Sequence, residues 1–259
     1  MRAAWLAIVV AGFVAGAGTV LLTDPGTSEP RVIVTAAAAS QGGANSAING
    51  QHIHGVKNGD IAPEALPDKP LDQTTRALLA MQLTVARSTA LRYPTVADAK
   101  KAGYILAGGF APGSGAHYVR TSAAVFASDH VLNVNRPGSL IYEGTNPTSK
   151  IIGMMYIGGG TTPPDGFVGP NDHWHRHSAV CVKYGPGGIE VPFPADADIT
   201  PKQCQDVHGQ FMAITVWMVH AWVVPGWESP LGVFSHDNPN IRCADDTFNT
   251  NKAGFCQGV

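Results

Sequence analysis

Three histidines at alternate positions, in Asp172-His173-Trp174-His175-Arg176-His177, are the residues of this chain best suited to chemistry. In extended backbone alternate side chains leave on the same side, so His173, His175 and His177 are expected to line one face of a strand. Neighbours on that face sit roughly 7 Å apart at the backbone, and two of their rings can converge on one ion. The outer pair is about twice as far apart, so the strand supplies two ligands and the fold must bring the others. Imidazole-only ligation suits Zn, Cu or Fe(II). The spacing argues for a transition-metal site of unassigned chemistry.

Two further histidines have the setting of ligands. His220 lies in Phe211 to Val224, where Met212, Ile214, Val216, Met218, His220 and Trp222 alternate with Ala213, Thr215, Trp217, Val219 and Ala221. Both faces are apolar, which predicts one central, buried strand. A buried imidazole needs a partner for each ring nitrogen, from backbone, water or a metal. His117 follows Pro112-Gly113-Ser114-Gly115-Ala116, and these glycines let the backbone turn tightly at a strand entrance. The expected ligand set is His117, His173, His175, His177 and His220. His236, in Ser235-His236-Asp237-Asn238-Pro239, is expected as an exposed turn residue, with ligation or acid–base work as the alternative. His52 and His54 read as solvated, and His130 and His208 as surface residues.

Other chemistries find no footing. There is no Gly-x-Ser-x-Gly elbow, phosphate-binding glycine loop or His-Glu-x-x-His helix, and no carboxylate pairing of the glycosidase kind. Gly158-Gly159-Gly160 before Thr161-Thr162-Pro163-Pro164 reads as a loop. The net charge is −2 with no basic cluster, so nucleic-acid binding is excluded as a reading.

The elements that must hold these histidines can be read in part. Met1 to Leu22 has the pattern of an export signal, with Arg2, an apolar run and Ala15-Gly16-Ala17. Its nearly uncharged length also suffices for an uncleaved membrane anchor. Thr23 to about Pro70 is rich in Ala, Gly, Ser, Asn and Pro and reads as a flexible tether. Residues 71–259 form the expected single domain. Four cysteines in an exported chain predict two disulfides, most simply Cys181–Cys204 and Cys243–Cys256. Charged residues make up only 14% of the chain, against 30 glycines and 19 prolines, which favours a turn-rich β body over a helical bundle.

Within that domain, Asp72 to Tyr93 reads as a helix capped by Asp72, with Leu79, Leu83, Ala86, Ala90 and Tyr93 as a packing stripe. After Pro94, Thr95 caps a short second helix closed by Gly103. Strands are expected at Ala116–Arg120, Ser139–Glu143, Ile151–Ile157, His173–Lys183 and Phe211–Val224.

Two resemblances accompany these readings. Gly169-x5-His175-x-His177 resembles the opening of the first cupin motif, and Pro112 to His117 has the spacing of the second. The order along the chain is reversed, and Ala179 to Val182 stands where a cupin carries its ligand Glu. That resemblance implies a small β-barrel with His175, His177 and His117 as ligands. The chain more closely resembles a family of uncharacterised exported bacterial proteins, mainly actinobacterial. The shared segments run from Ala102-Gly103-Tyr104 through Gly115-Ala116-His117-Tyr118, Pro137 to Glu143, Trp174-His175-Arg176-His177 and Val219-His220-Ala221-Trp222 to Gly232-Val233-Phe234 and Asn238-Pro239. It implies one domain with a shared histidine set and no particular substrate.

Together these readings predict an α+β domain, with an N-terminal helical hairpin on a mostly antiparallel sheet or partial barrel. Its expected function is transition-metal binding outside the cytoplasm, with hydrolytic or redox chemistry if a coordination position stays open. The alternative is a cell-envelope binding or structural protein whose histidines form a hydrogen-bonded network, and a pH-responsive cluster is a third reading.

Overall fold

The computed structural model describes residues 20–22, 31–33, 68–121, 132–193 and 199–242. Most of the expected export signal and of the expected tether lies outside these residues, as do His52, His54, His130, Cys243 and Cys256. The chain divides into two units, Met1–Gln41 and Gly42–Val259. In the first, β1 (Val20–Leu22) pairs antiparallel with β2 (Arg31–Ile33).

The second unit opens with α1 (Gln73–Ala90). The Asp72 carboxylate accepts from the Thr75 amide at 2.9 Å and the Thr75 hydroxyl at 2.6 Å, capping the exposed N–H groups of the first turn. Leu79, Ala86 and Ala90 of the expected stripe are buried, with Leu83 and Tyr93 packed beside them. α2 (Val96–Lys101) begins with a reciprocal cap between Thr95 and Asp98 and is followed by Gly103 at φ +86°. A third helix that periodicity did not indicate, α3 (Pro201–Asp206), carries Cys204.

Among the described residues eight strands form the body: β3 (Ile105–Ala111), β4 (Gly115–Val119), β5 (Ser139–Tyr142), β6 (Ile151–Gly158), β7 (Ser178–Gly185), β8 (Gly188–Glu190), β9 (Gln210–Ile214) and β10 (Trp217–Ala221). Their order is β10-β6-β5-β4-β3-β8-β7-β9, antiparallel throughout except for the parallel pair β3 and β8. The two ends of that order, β9 and β10, are consecutive in the chain. Such a run can pair with β7 through its first half and β6 through its second only if the sheet curls. The fold is therefore the expected α+β arrangement, with the sheet rolled into a partial barrel.

The seam of that curl corrects two expectations. Phe211–Val224 is two strands, broken at Thr215-Val216 where the pairing partner changes. The alternation of apolar residues continues across the break because the faces are kept even though the neighbour is not. The histidine strand begins only at Ser178. Upstream, the Trp174 amide donates to the Asp172 carbonyl at 2.8 Å, and the Trp174 indole donates to the buried Asp172 carboxylate at 2.9 Å. This local closure interrupts the extended backbone, so the three histidines do not share one strand face. His175 nevertheless exchanges both backbone hydrogen bonds with Met218, each 2.9 Å, and the Thr215 amide donates to the His177 carbonyl at 2.8 Å. The segment that carries His175 and His177 thus closes onto the strand that carries His220.

Register then sorts side chains onto two faces. Tyr118, Leu140, Met154 and Ala221 align across four strands, and this row packs with Tyr142, Tyr156 and the buried residues of α1 and α2. The flanking rows, His117-Ile141-Gly153 and Val119-Ser139-Met155-His220, point the other way. There Ile141, Ile152, Met155, Met218, Trp222 and Ile241 form a second apolar cluster, and the histidines gather beside it.

Candidate metal centre

Each histidine is placed by backbone constraints that can be traced. His117 sits mid-strand in β4, two residues after Gly115. Gly115 has φ +77°, and a Cβ there would lie 2.7 Å from the Ile141 side chain and 2.9 Å from the Tyr142 carbonyl oxygen. Only glycine meets both demands. The Gly113 amide donates to the Ile241 carbonyl at 2.7 Å, and the Asn238 amide donates to the Gly113 carbonyl at 2.8 Å. These bonds lash the turn before β4 to the loop that carries His236.

That loop is held by the segment that follows β10. The Trp222 indole donates to the Ser235 carbonyl at 2.7 Å, and the buried Asn238 amide group donates to the Trp227 carbonyl at 2.7 Å. Trp222 also stacks on His220, with ring centres 5.3 Å apart and planes 27° from parallel. One tryptophan therefore sets the height of two histidines, one through its ring face and one through its N–H.

Five imidazoles meet as a result: His117, His175, His177, His220 and His236. One nitrogen from each of His175, His177 and His236 lies within 4.8 Å of the others, making these three the group among the described residues that could hold a metal ion. Their ring centres are 4.6 to 5.5 Å apart. His220 adjoins them, 5.4 Å from His175 and 5.5 Å from His236. The Nε2 atoms of His117 and His220 lie 3.3 Å apart. Two nitrogens bound at about 2.0–2.1 Å to one tetrahedral ion lie roughly 3.3 Å from each other. The triad is thus open by up to about 1.5 Å relative to a loaded tetrahedral shell, a closure within reach of side-chain rotation.

The tautomers suit ligation. Nδ1 of His175 lies 3.2 Å from the His173 carbonyl oxygen, and Nδ1 of His236 lies 2.9 Å from the Asp237 carboxylate. Carbonyl and carboxylate oxygens only accept, so each Nδ1 carries the proton, and in the neutral ring Nε2 keeps its lone pair. This outer hydrogen bond is the one that orients metal-bound histidines and raises their basicity. His175 is 3% exposed, and burial first, then the neighbouring His236, His177 and His220, hold its pKa well below the ordinary value. Its ring is neutral at physiological pH, the form a metal requires.

Of the expected ligands, His117, His175, His177 and His220 come together, whereas His173 does not. Its Nε2 lies 3.1 Å from Asp68 Oδ1, at the end of the segment leading into α1. The neighbouring Lys69 backbone exchanges two 2.9 Å hydrogen bonds with the Asn171 side chain, so that segment is pinned to the rim of the site. His236 replaces His173 and is a half-buried member of the cluster, against its reading as an exposed turn residue. A signal for it was present in the adjacent Asp237, a natural acceptor for the ring nitrogen facing away from an ion. His208 is exposed, as expected.

The disulfide Cys181–Cys204 forms as expected and ties β7, just beyond His177, to α3. The Cys243–Cys256 pairing lies outside the described residues. No helix among the described residues is long and apolar enough to cross a membrane. No protein-family model, curated protein or solved structure matches this chain.

Proposed function

We propose that this chain is an exported metalloprotein whose function resides in a transition-metal centre built from His175, His177 and His236, with His220 and His117 beside them. The observation that carries this reading is the convergence of three ring nitrogens within 4.8 Å. In two of those rings the other nitrogen already donates to an oxygen acceptor. Three protein ligands on a tetrahedral ion leave a position for water or substrate. Zinc there would lower the pKa of bound water to about 7 and support hydrolysis, whereas copper or iron would support redox work. Export is supported by the apolar pattern of Met1 to Leu22, and the Cys181–Cys204 disulfide is of a kind kept in oxidising compartments.

The resemblance to exported bacterial proteins rests on segments that surround this same site, including Gly115 to Tyr118, Trp174 to His177, Val219 to Trp222 and Asn238-Pro239. We infer that those proteins share the centre. One observation favours the rival reading of a purely structural hydrogen-bonded network, namely the 3.3 Å contact between His117 and His220.

Metal content separates the two. Untagged protein exported by its own signal is analysed by inductively coupled plasma mass spectrometry beside a His175→Ala, His236→Ala double variant. Near-stoichiometric metal that vanishes in the variant is the expected result, and the element found selects hydrolytic or redox assays. A metal-free wild type that also fails to take up Zn or Cu at micromolar concentration overturns the metal reading.

A further inference from the structure

The five imidazoles do not form one shell. They divide into the triad His175/His177/His236 and the pair His117/His220, and we propose that the pair is a second cation position, making the centre dinuclear. This inference rests on the triad being a metal site.

Three features carry it. The Nε2–Nε2 separation of 3.3 Å is the spacing of two ligands on one tetrahedral ion. Second, His220 is 2% exposed and adjoins two rings of the triad, with centres 5.4 and 5.5 Å from His175 and His236. A second ion held by His220 would therefore be a neighbour of the first, as in sites where two ions about 3.5–4 Å apart share a bridging oxygen. Third, His117 and His220 come from strands on either side of β5 and β6 and are fixed independently. Gly115 sets the first and the Trp222 stack the second. A pair preorganised by separate devices loses little freedom on taking up an ion.

The pair provides two nitrogens, so the remaining positions on its ion fall to water or hydroxide and to substrate. The donors are neutral, and the Asp237 carboxylate sits on the outer edge of His236. A hydroxide bridging the two ions would offset part of their charge and be the attacking group in a hydrolytic reaction.

The test is zinc stoichiometry by equilibrium dialysis of the full, untagged chain, comparing wild type with His117→Gln. Glutamine keeps much of the side-chain volume and can still hydrogen-bond to His220, but it is a poor zinc ligand. Circular dichroism confirms that the variant is folded. A His117→Ala variant checks that any loss follows from the missing ligand rather than from glutamine's own contacts. Two zinc ions per wild-type chain falling to one in both variants is the expected result. One zinc ion in wild type and variants overturns the second position and leaves the triad standing. Two ions in all three place the second ion elsewhere and overturn the assignment to this pair. No zinc in the wild type overturns the triad and the pair together.

Discussion

The two faces of the curled sheet both bury polar aromatic rings, and they treat them in opposite ways. On the helix-covered face, Tyr104, Tyr118, Tyr142 and Tyr156 each donate the hydroxyl to a backbone carbonyl, of Pro137, Thr145, Tyr93 and Val134 respectively, at 2.9 to 3.4 Å. Burial raises the pKa of Tyr104 to about 12 and pushes Tyr142 and Tyr156 further in the same direction. Tyr104, Tyr142 and Tyr156 are therefore neutral hydrogen-bond donors at physiological pH. On the other face the imidazoles lie against one another. A backbone carbonyl has a fixed place in the fold, so each tyrosine hydroxyl is committed to a partner and the tyrosine face is closed. Imidazoles carry lone pairs as well as protons, and gathering them creates a site that can take up an ion or a proton. The difference teaches that buried rings which satisfy one nitrogen locally and turn the other toward one another form a candidate site, whereas rings spent on the main chain do not.

The largest expected effect belongs to the closed face. Tyr156→Ala should lower unfolding free energy by about 3–5 kcal/mol in urea denaturation, through lost packing and the cavity left behind. The folded fraction should keep its metal stoichiometry. A loss below about 1 kcal/mol would mean that the helix-covered face is not the stabilising one.

Gly153→Ala tests whether Trp222 positions the histidine face. Its new methyl would lie 2.6 Å from the Trp222 ring, displacing the indole that stacks on His220 and holds the His236 loop. Overpacking of this kind costs about 1–3 kcal/mol. We expect weaker zinc binding together with altered near-ultraviolet circular dichroism. Unchanged affinity would show that Trp222 does not position the site.

Asp237→Asn leaves every ring in place but replaces the carboxylate that receives the His236 proton. Metal affinity should fall about 10–100-fold, as for other outer-shell partners, with little change in thermal unfolding of the metal-free protein. A drop in stability without a drop in affinity would reassign Asp237 to loop structure.

The smallest effects concern pH. Burial pushes Asp172 up to about 7, partly opposed by the Trp174 hydrogen bond. Between its ordinary value of 3.8 and about 7 the folded state binds more protons than the unfolded one, so this group makes stability fall as pH rises through that window. Asp172→Asn should therefore raise the melting temperature relative to wild type above pH 7 and make little difference near pH 4. His175 acts with the opposite sign. Its lowered pKa means the unfolded state binds more protons below about 6.5, so metal-free protein loses stability as pH falls through that point. If both limbs persist in the corresponding variants, other groups control the profile.

Much of the scaffold is legible in the chain. Asp72 and Thr95 mark helix starts because their side chains cap amides a few residues on, an interaction that needs no tertiary context. Glycine and proline punctuation finds β4, β5 and β6 within a residue or two. It misses β3, which has Gly108 in its middle, and the short β8, which opens on Gly188. Four of the five clustered histidines could be named from their settings, since a glycine turn, an alternating run and a His-x-His-x-His repeat are local patterns. His236 had ligation only as its alternative reading, because its burial depends on hydrogen bonds from its loop to Gly113 and Trp222, which are distant in the chain.

The sequence by itself determined the ingredients: the helical pair, the apolar alternation of the last long run, a nearby pair of cysteines able to bridge, and a supply of imidazoles. All of these follow from interactions between residues close in the chain. The tertiary structure alone decided which histidines meet. Alternation says which side a residue faces but not which strand lies beside it, and the site forms where one run changes partners from β7 to β6 and draws His175 onto Met218. That choice is a matter of sheet closure, a property of eight strands at once, and it sends His173 to Asp68 while admitting His236.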